Sequence, residues 1–118
     1  LNAGMIFEAI VLMLNNISAN SVFYKKALKL EGAVTFNQIA MKCVYEMFMN
    51  IISEKSTGKK SKYRWLTPEV ISTYYAQSLC FITEGWIAQG MDDIEPKEMA
   101  EAYMYLITRS MDDILSEL

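Results

Sequence analysis

A chain of 118 residues is one domain's worth of sequence, long enough to bury a core without disulfide or metal staples. Its 53% hydrophobic and 21% charged residues exclude a disordered segment, and 5 Gly and 2 Pro among abundant Ala, Leu, Met, Glu, Lys and Gln point to helices. The net charge of -3 divides unevenly, with nine Lys/Arg against four Asp/Glu in residues 1–66 and two against ten in residues 67–118, so the second half is a poor partner for a phosphate backbone.

The punctuation divides the chain into five helices, which makes it a single all-α domain over residues 1–118. The first runs from Ala3 to Asn16. Between Met5 and Leu14 it is apolar apart from Glu8, as a helix buried on most sides should be. Ten residues are too few to span a bilayer and no basic segment precedes them, so no membrane association is expected. The run Asn15, Asn16, Ile17, Ser18 is read as the break, since Asn and Ser favour caps and turns. A short second helix follows from Ser21 to Glu31, with Asn20 or Ser21 as N-cap and Gly32 as C-cap.

The third helix opens at Thr35 with Gln38 three residues on, the spacing of a capping box, and continues to Lys55. Gln38, Lys42, Glu46 and Ser53 share a strip about 80° wide, and nearly everything else on this helix is apolar. Lys55, Lys59, Lys60, Lys62 and Arg64 then cluster in and beside a Ser- and Gly-containing stretch that ends at Leu66. This reads as a solvated interhelical loop more readily than as a nucleic-acid patch. Thr67 caps the fourth helix, with Pro68 in its first position and Glu69 complementing the dipole, and the helix ends at Gln89 and Gly90. A fifth helix starts at Glu95, Pro96, Lys97 and Glu98 and runs to Glu117. The fourth and fifth helices are apolar over an arc of about 180°, where packing on one neighbour needs only about 100°. A second copy of the chain would cover the excess.

Chemistry-bearing motifs are sparse. The sequence contains no His, which removes His-based triads and His metal sites, and it holds no nucleophile elbow, phosphate-binding loop or dinucleotide fingerprint. Cys43 and Cys80 lie far apart in apolar helical runs; the sequence leaves a disulfide between them open, and reduced core thiols are the better reading. The acid pairs Asp92/Asp93 and Asp112/Asp113 fall at a helix junction and near the C-terminus, where solvated surface is the simpler reading. Enzymatic activity, a metal and a cofactor are therefore not expected. Nine Met can line an adaptable pocket or fill ordinary core, and core is the better account of most. Asn37 and Asn50 lie in or beside the apolar arc of the third helix, where a buried amide could orient a ligand or simply satisfy local backbone. Thr73, Gln77 and Glu84 form a polar strip on the fourth helix that could face solvent, a pocket corner or a partner.

Three stretches carry a resemblance: Phe23 to Gly32 (FYKKALKLEG) with Phe36 four residues later, Tyr74 to Met91 (YYAQSLCFITEGWIAQGM), and Glu95 to Tyr103 (EPKEMAEAY). Together they resemble the C-terminal domain of TetR/AcrR-type transcriptional regulators, with Gly85-Trp86, Gly90 and Pro96, Glu98, Met99 in the family's order over residues 20–115. Within that family the chain is most similar to the regulators of dihydroxyacetone kinase operons. The resemblance implies a cytoplasmic protein that forms a homodimer through a four-helix bundle of the last two helices of each protomer. Gly85, Met99, Tyr103, Leu106 and Ser110 would lie near that contact. It also implies a cavity among the first, third and fourth helices for a small hydrophobic or amphipathic effector. Phe7, Met13, Val44, Met47, Tyr74, Ser78 and Trp86 are the expected lining, with Asn50 as a hydrogen-bonding group.

In the family, DNA is read by an N-terminal helix-turn-helix domain. The apolar first helix, with no Lys or Arg, cannot supply one, so DNA binding is expected only through a domain outside these residues. The sequence opens on Leu1 and not Met, which fits an upstream start. The alternative role is a helical protein–protein interaction module that lacks such a head.

Overall fold

The computed structural model describes residues 3–29, 36–56, 58 and 60–118, and among these it is all-helical with no strand. Six helices follow one another: α1 (Ala3–Ala19), α2 (Ser21–Leu28), α3 (Phe36–Ser56), α4 (Pro68–Ala88), α5 (Pro96–Thr108) and α6 (Met111–Glu117). α1 packs chiefly along α5, α3 along α4, and α2 against α4. The extents are 43 × 39 × 22 Å, and the short dimension is that of two helix layers.

The core joins both layers. Ile10, Leu14 and Ile17 of α1 meet Val44 and Phe48 of α3, Ala76, Leu79, Cys80, Trp86 and Ile87 of α4, and Ala100 and Tyr103 of α5. The spacing of Ile10, Leu14 and Ile17 places them on one stripe of α1. That stripe corrects the expected end of the first helix. α1 runs three residues past Asn16, because Ile17 lies on the buried stripe and is only 6% exposed. Burying such a side chain gives roughly 1.5–3 kcal/mol. The weak helix propensities of Asn15, Asn16 and Ser18 cost a few tenths each relative to good helix formers. The break falls at Asn20, whose amide side chain donates to the Asn16 carbonyl at 2.9 Å, and the chain turns there by 90° into α2. Gly32 and Thr35, the expected cap positions between the second and third helices, lie outside the described residues. Among the described residues no single helix is long and apolar enough to cross a membrane; α1 and α2 would meet that test only jointly, and the elbow separates them.

The start of α4 is as expected. The Thr67 hydroxyl accepts from the Val70 amide at 3.2 Å, and Pro68 occupies the first turn. The helix ends at Gln89, after which Gly90 (φ 98°) and Met91 (φ 64°) are both left-handed. A left-handed Met is unusual. Its side chain is buried in the core, and the Trp86 indole N–H donates to the Ile94 carbonyl at 2.9 Å across the same turn.

The expected fifth helix is two. α5 stops at Thr108, Arg109 is extended (φ -108°, ψ 149°), and Ser110 caps α6 by accepting from the Asp113 amide at 3.1 Å. Asp112 and Asp113 complement the dipole of that first turn. The apolar periodicity runs on through this start signal, which is why one long helix was the expectation. α6 buries no side chain. It is tied back through Glu117, which lies 3.9 Å from the Arg109 guanidinium and accepts from the Tyr105 hydroxyl.

Candidate functional site

A cavity of about 310 Å³ lies between α1, α2, α3 and α4. α1 supplies Met13, Asn16 and Ile17, and α3 supplies Phe36, Ile39, Ala40, Cys43 and Val44 in a stripe three and four residues apart. α4 supplies Cys80, Thr83 and Glu84. The elbow at Asn20 redirects the chain so that Tyr24 of α2 joins the lining, its ring edge-on to Phe36 at 5.9 Å. Most of this wall is apolar, as in small-molecule sites generally.

Its few polar groups are concentrated on α4. Thr83 is 5% exposed, and its hydroxyl has no hydrogen-bond partner among the described residues. A buried hydroxyl without a partner is costly. Next to it in sequence, Glu84 accepts from the Asn37 side-chain amide of α3 at 3.0 Å. The polar strip seen in the sequence thus divides: Glu84 forms a corner of the cavity, Gln77 is exposed, and the Thr73 hydroxyl returns to the Glu69 carbonyl at 2.8 Å. Both cysteines border the cavity as free thiols, Cys80 buried and Cys43 exposed. Burial, reinforced by Glu84 and then by Cys43, pushes the Cys80 thiol up to about 11, so it stays protonated and behaves as a neutral wall. Among the described residues no group of three or more Cys, Asp or Glu side chains is placed to hold a metal ion.

Of the residues expected to line an effector site, the cavity includes Met13 and Val44. Phe7 lies on a shallow surface cleft with Val11, Leu12 and Lys97, and Met47 packs partly against the core. Asn50 is exposed, whereas Trp86 is buried and spends its indole N–H on Ile94. Tyr74 and Ser78 border a different, open cleft between α4 and α5. The expectation chose the turn of α3 after Val44, whereas the cavity uses the turns before it. The Phe36, Ala40, Cys43, Val44 stripe is readable in the sequence, but α3 is apolar on so many sides that the stripe does not stand out. Thr83 and Tyr24 carried no signal of their own.

α4 turns a second face outward. Tyr74, Gln77, Phe81, Gly85 and Ala88 share a strip about 80° wide and are all exposed, Phe81 to 77%. Leu106 of α5 adds to this surface at 47% exposure, and a Cβ built on Gly85 meets nothing within 4 Å. Among the other residues expected at a dimer contact, Met99 packs partly on the core and Ser110 caps α6. Tyr103 is buried inside its own protomer at 1% exposure. Its hydroxyl donates to the Tyr75 carbonyl at 3.1 Å and lies 2.9 Å from the Ser78 hydroxyl, which itself donates to the Tyr75 carbonyl at 2.8 Å. Burial raises the Tyr103 phenol to about 12, with the Ser78 hydroxyl beside it acting in the opposite direction.

These features define an all-α domain organised around an apolar cavity. The family model for the transcriptional regulator C-terminal region of TetR type matches residues 5–109, and the chain belongs to that family. The match stops at Arg109, where α5 ends and α6 has yet to begin. It does not distinguish the dihydroxyacetone kinase regulators as a subgroup. No curated protein and no solved structure matches the chain.

Proposed function

We propose that this regulator domain is both the dimerising and the effector-sensing part of its protein, and that occupancy of the cavity biases the geometry of the dimer. One observation carries the reading: α4 borders the cavity with Cys80, Thr83 and Glu84 and presents Tyr74, Phe81 and Gly85 outward on a different face. A shift of α4 caused by an occupant is therefore felt at the outer face. That coupling is an exchange between two dimer populations, each with its own affinity for the effector. The outer face is apolar and contiguous with Leu106, the kind of surface that a second copy covers. DNA recognition would belong to an N-terminal domain outside these residues.

The test has two arms. Light scattering at micromolar concentration should give about twice the 13.5 kDa chain mass for the wild type. Gly85→Arg, which meets open space within the protomer, should give the single-chain mass with an unchanged helical spectrum. Small apolar and amphipathic compounds should raise Tm in the wild type, because binding to the folded state stabilises it. They should do so far less in Ala40→Trp, which fills the cavity. A wild-type monomer throughout the micromolar range refutes the dimer, and identical Tm shifts in wild type and Ala40→Trp refute the cavity.

A further inference from the structure

We infer that the cavity selects a small apolar organic cation, a protonated amine with N–H groups, over neutral or anionic molecules of the same shape; this rests on the cavity being the effector site. Glu84 is the one ionisable carboxylate of the lining, and no Lys or Arg is among the described lining residues. A bound anion would sit beside that carboxylate in a mostly apolar space with no cationic side chain among the described lining residues to offset the repulsion, whereas a cation meets an opposite charge there. Asn37 fixes the carboxylate by donating to one of its oxygens at 3.0 Å, so the acceptor is preorganised.

The second observation is the Thr83 hydroxyl, 5% exposed, bordering the cavity, and without a partner among the described residues. Its lone pairs accept from an ammonium N–H while the neighbouring Glu84 carboxylate accepts another. A quaternary ammonium would satisfy only the charge. Tyr24 and Phe36 add two aromatic rings to the same wall, and ring faces attract cations. The cavity measures about 310 Å³, and an apolar cavity of ~150 Å³ already holds a benzene ring. That suits a single aryl ring on a short alkylamine.

Calorimetric titration of the full chain at pH 7 with 4-phenylbutylamine, 4-phenylbutanol and 4-phenylbutyrate tests this. The expected order is amine tightest, alcohol about tenfold weaker, and carboxylate without measurable binding, because a charge-assisted hydrogen bond, roughly twice as strong as a neutral one, adds about one decade of affinity. Glu84→Gln, at a partly exposed position that leaves the core intact, should lower amine affinity to the level of the alcohol and leave the alcohol unchanged. Thr83→Val should weaken amine and alcohol alike by several-fold. Equal wild-type affinities for amine and alcohol, or an amine preference that survives Glu84→Gln, would overturn the charge selection while the cavity keeps its role. Binding of none of the three would overturn both.

Discussion

Tyr103 offers the sharpest check on how the two helix layers are held. Its ring is fully buried, and its hydroxyl joins α5 to the Tyr75 carbonyl and Ser78 hydroxyl of α4. Tyr103→Phe keeps the ring and removes one hydroxyl. The Tyr75 carbonyl retains its bond from Ser78 at 2.8 Å, so no buried acceptor is orphaned and the loss is that of one net hydrogen bond, about 1 kcal/mol. Tyr103→Ala also empties the ring's volume, which costs about 3–5 kcal/mol for a large aromatic side chain. With a urea slope of about 1.5 kcal/mol/M, the midpoint should fall by roughly 0.7 M for Phe and by more than 2 M for Ala. Urea unfolding measured at two protein concentrations tenfold apart reads both numbers. The difference from wild type should be the same at each concentration, because the residue is buried within its own protomer. A Phe variant as stable as wild type would refute the hydrogen-bond account. A deficit in the Ala variant that shrinks at high concentration would place Tyr103 at the subunit contact instead.

Alkaline pH should loosen the fold in two stages. The Cys80 thiol rises from 9.0 to about 11 and the Tyr103 phenol from 10.0 to about 12, so the unfolded chain gives up each proton first. Stability then falls with pH across about 9–11 for Cys80 and 10–12 for Tyr103, and melting curves of Cys80→Ala and Tyr103→Phe should each show a shallower decline in the matching window. The two serine/threonine caps should behave differently. Thr67→Ala removes the acceptor at the start of a core helix and should cost about 1 kcal/mol of global stability in denaturant melts. Ser110→Ala should leave the global midpoint unchanged and speed amide exchange only in α6, which buries no side chain; a global loss there would show that α6 is integral to the core.

The helical class and the α4 boundaries were legible because their signals are local: Thr67-Pro68-Glu69 at one end and Gly90 at the other. Where local and tertiary signals disagreed, the chain followed whichever carried more free energy. At Asn15 to Ser18 the burial of Ile17 overrode poor propensity, whereas at Ser110 a cap with two acids overrode an apolar period that had nothing to pack against. The cavity lies among the helices the resemblance implied, with α2 added, and on α3 it uses the turns before Val44, whereas the expectation used those after it. Helix periodicity fixes which side chains share a face, and it does not fix the height along the axis at which α1 and α2 approach. That height depends on the 90° elbow at Asn20, a tertiary outcome. Trp86 illustrates the same limit: the resemblance implied a ligand contact, and only the turn through Gly90 and Met91 reveals that its N–H is taken by Ile94.

The pairing of α1 with α5 and of α3 with α4 gives the molecule a seam, and the cavity opens on it: Met13 and Ile17 stand on one side, Val44 and Thr83 on the other. Away from that void, the Tyr103 hydroxyl rivets α5 to α4, and Trp86 fastens α4 to the strap that leads into α5. A gap at one point of a seam and rivets at another make a lever of each helix pair, with its pivot at Tyr103. An occupant wedged into the gap is thus expected to change the angle between the pairs more than the packing within either. The far ends of α1 and α4 should travel furthest.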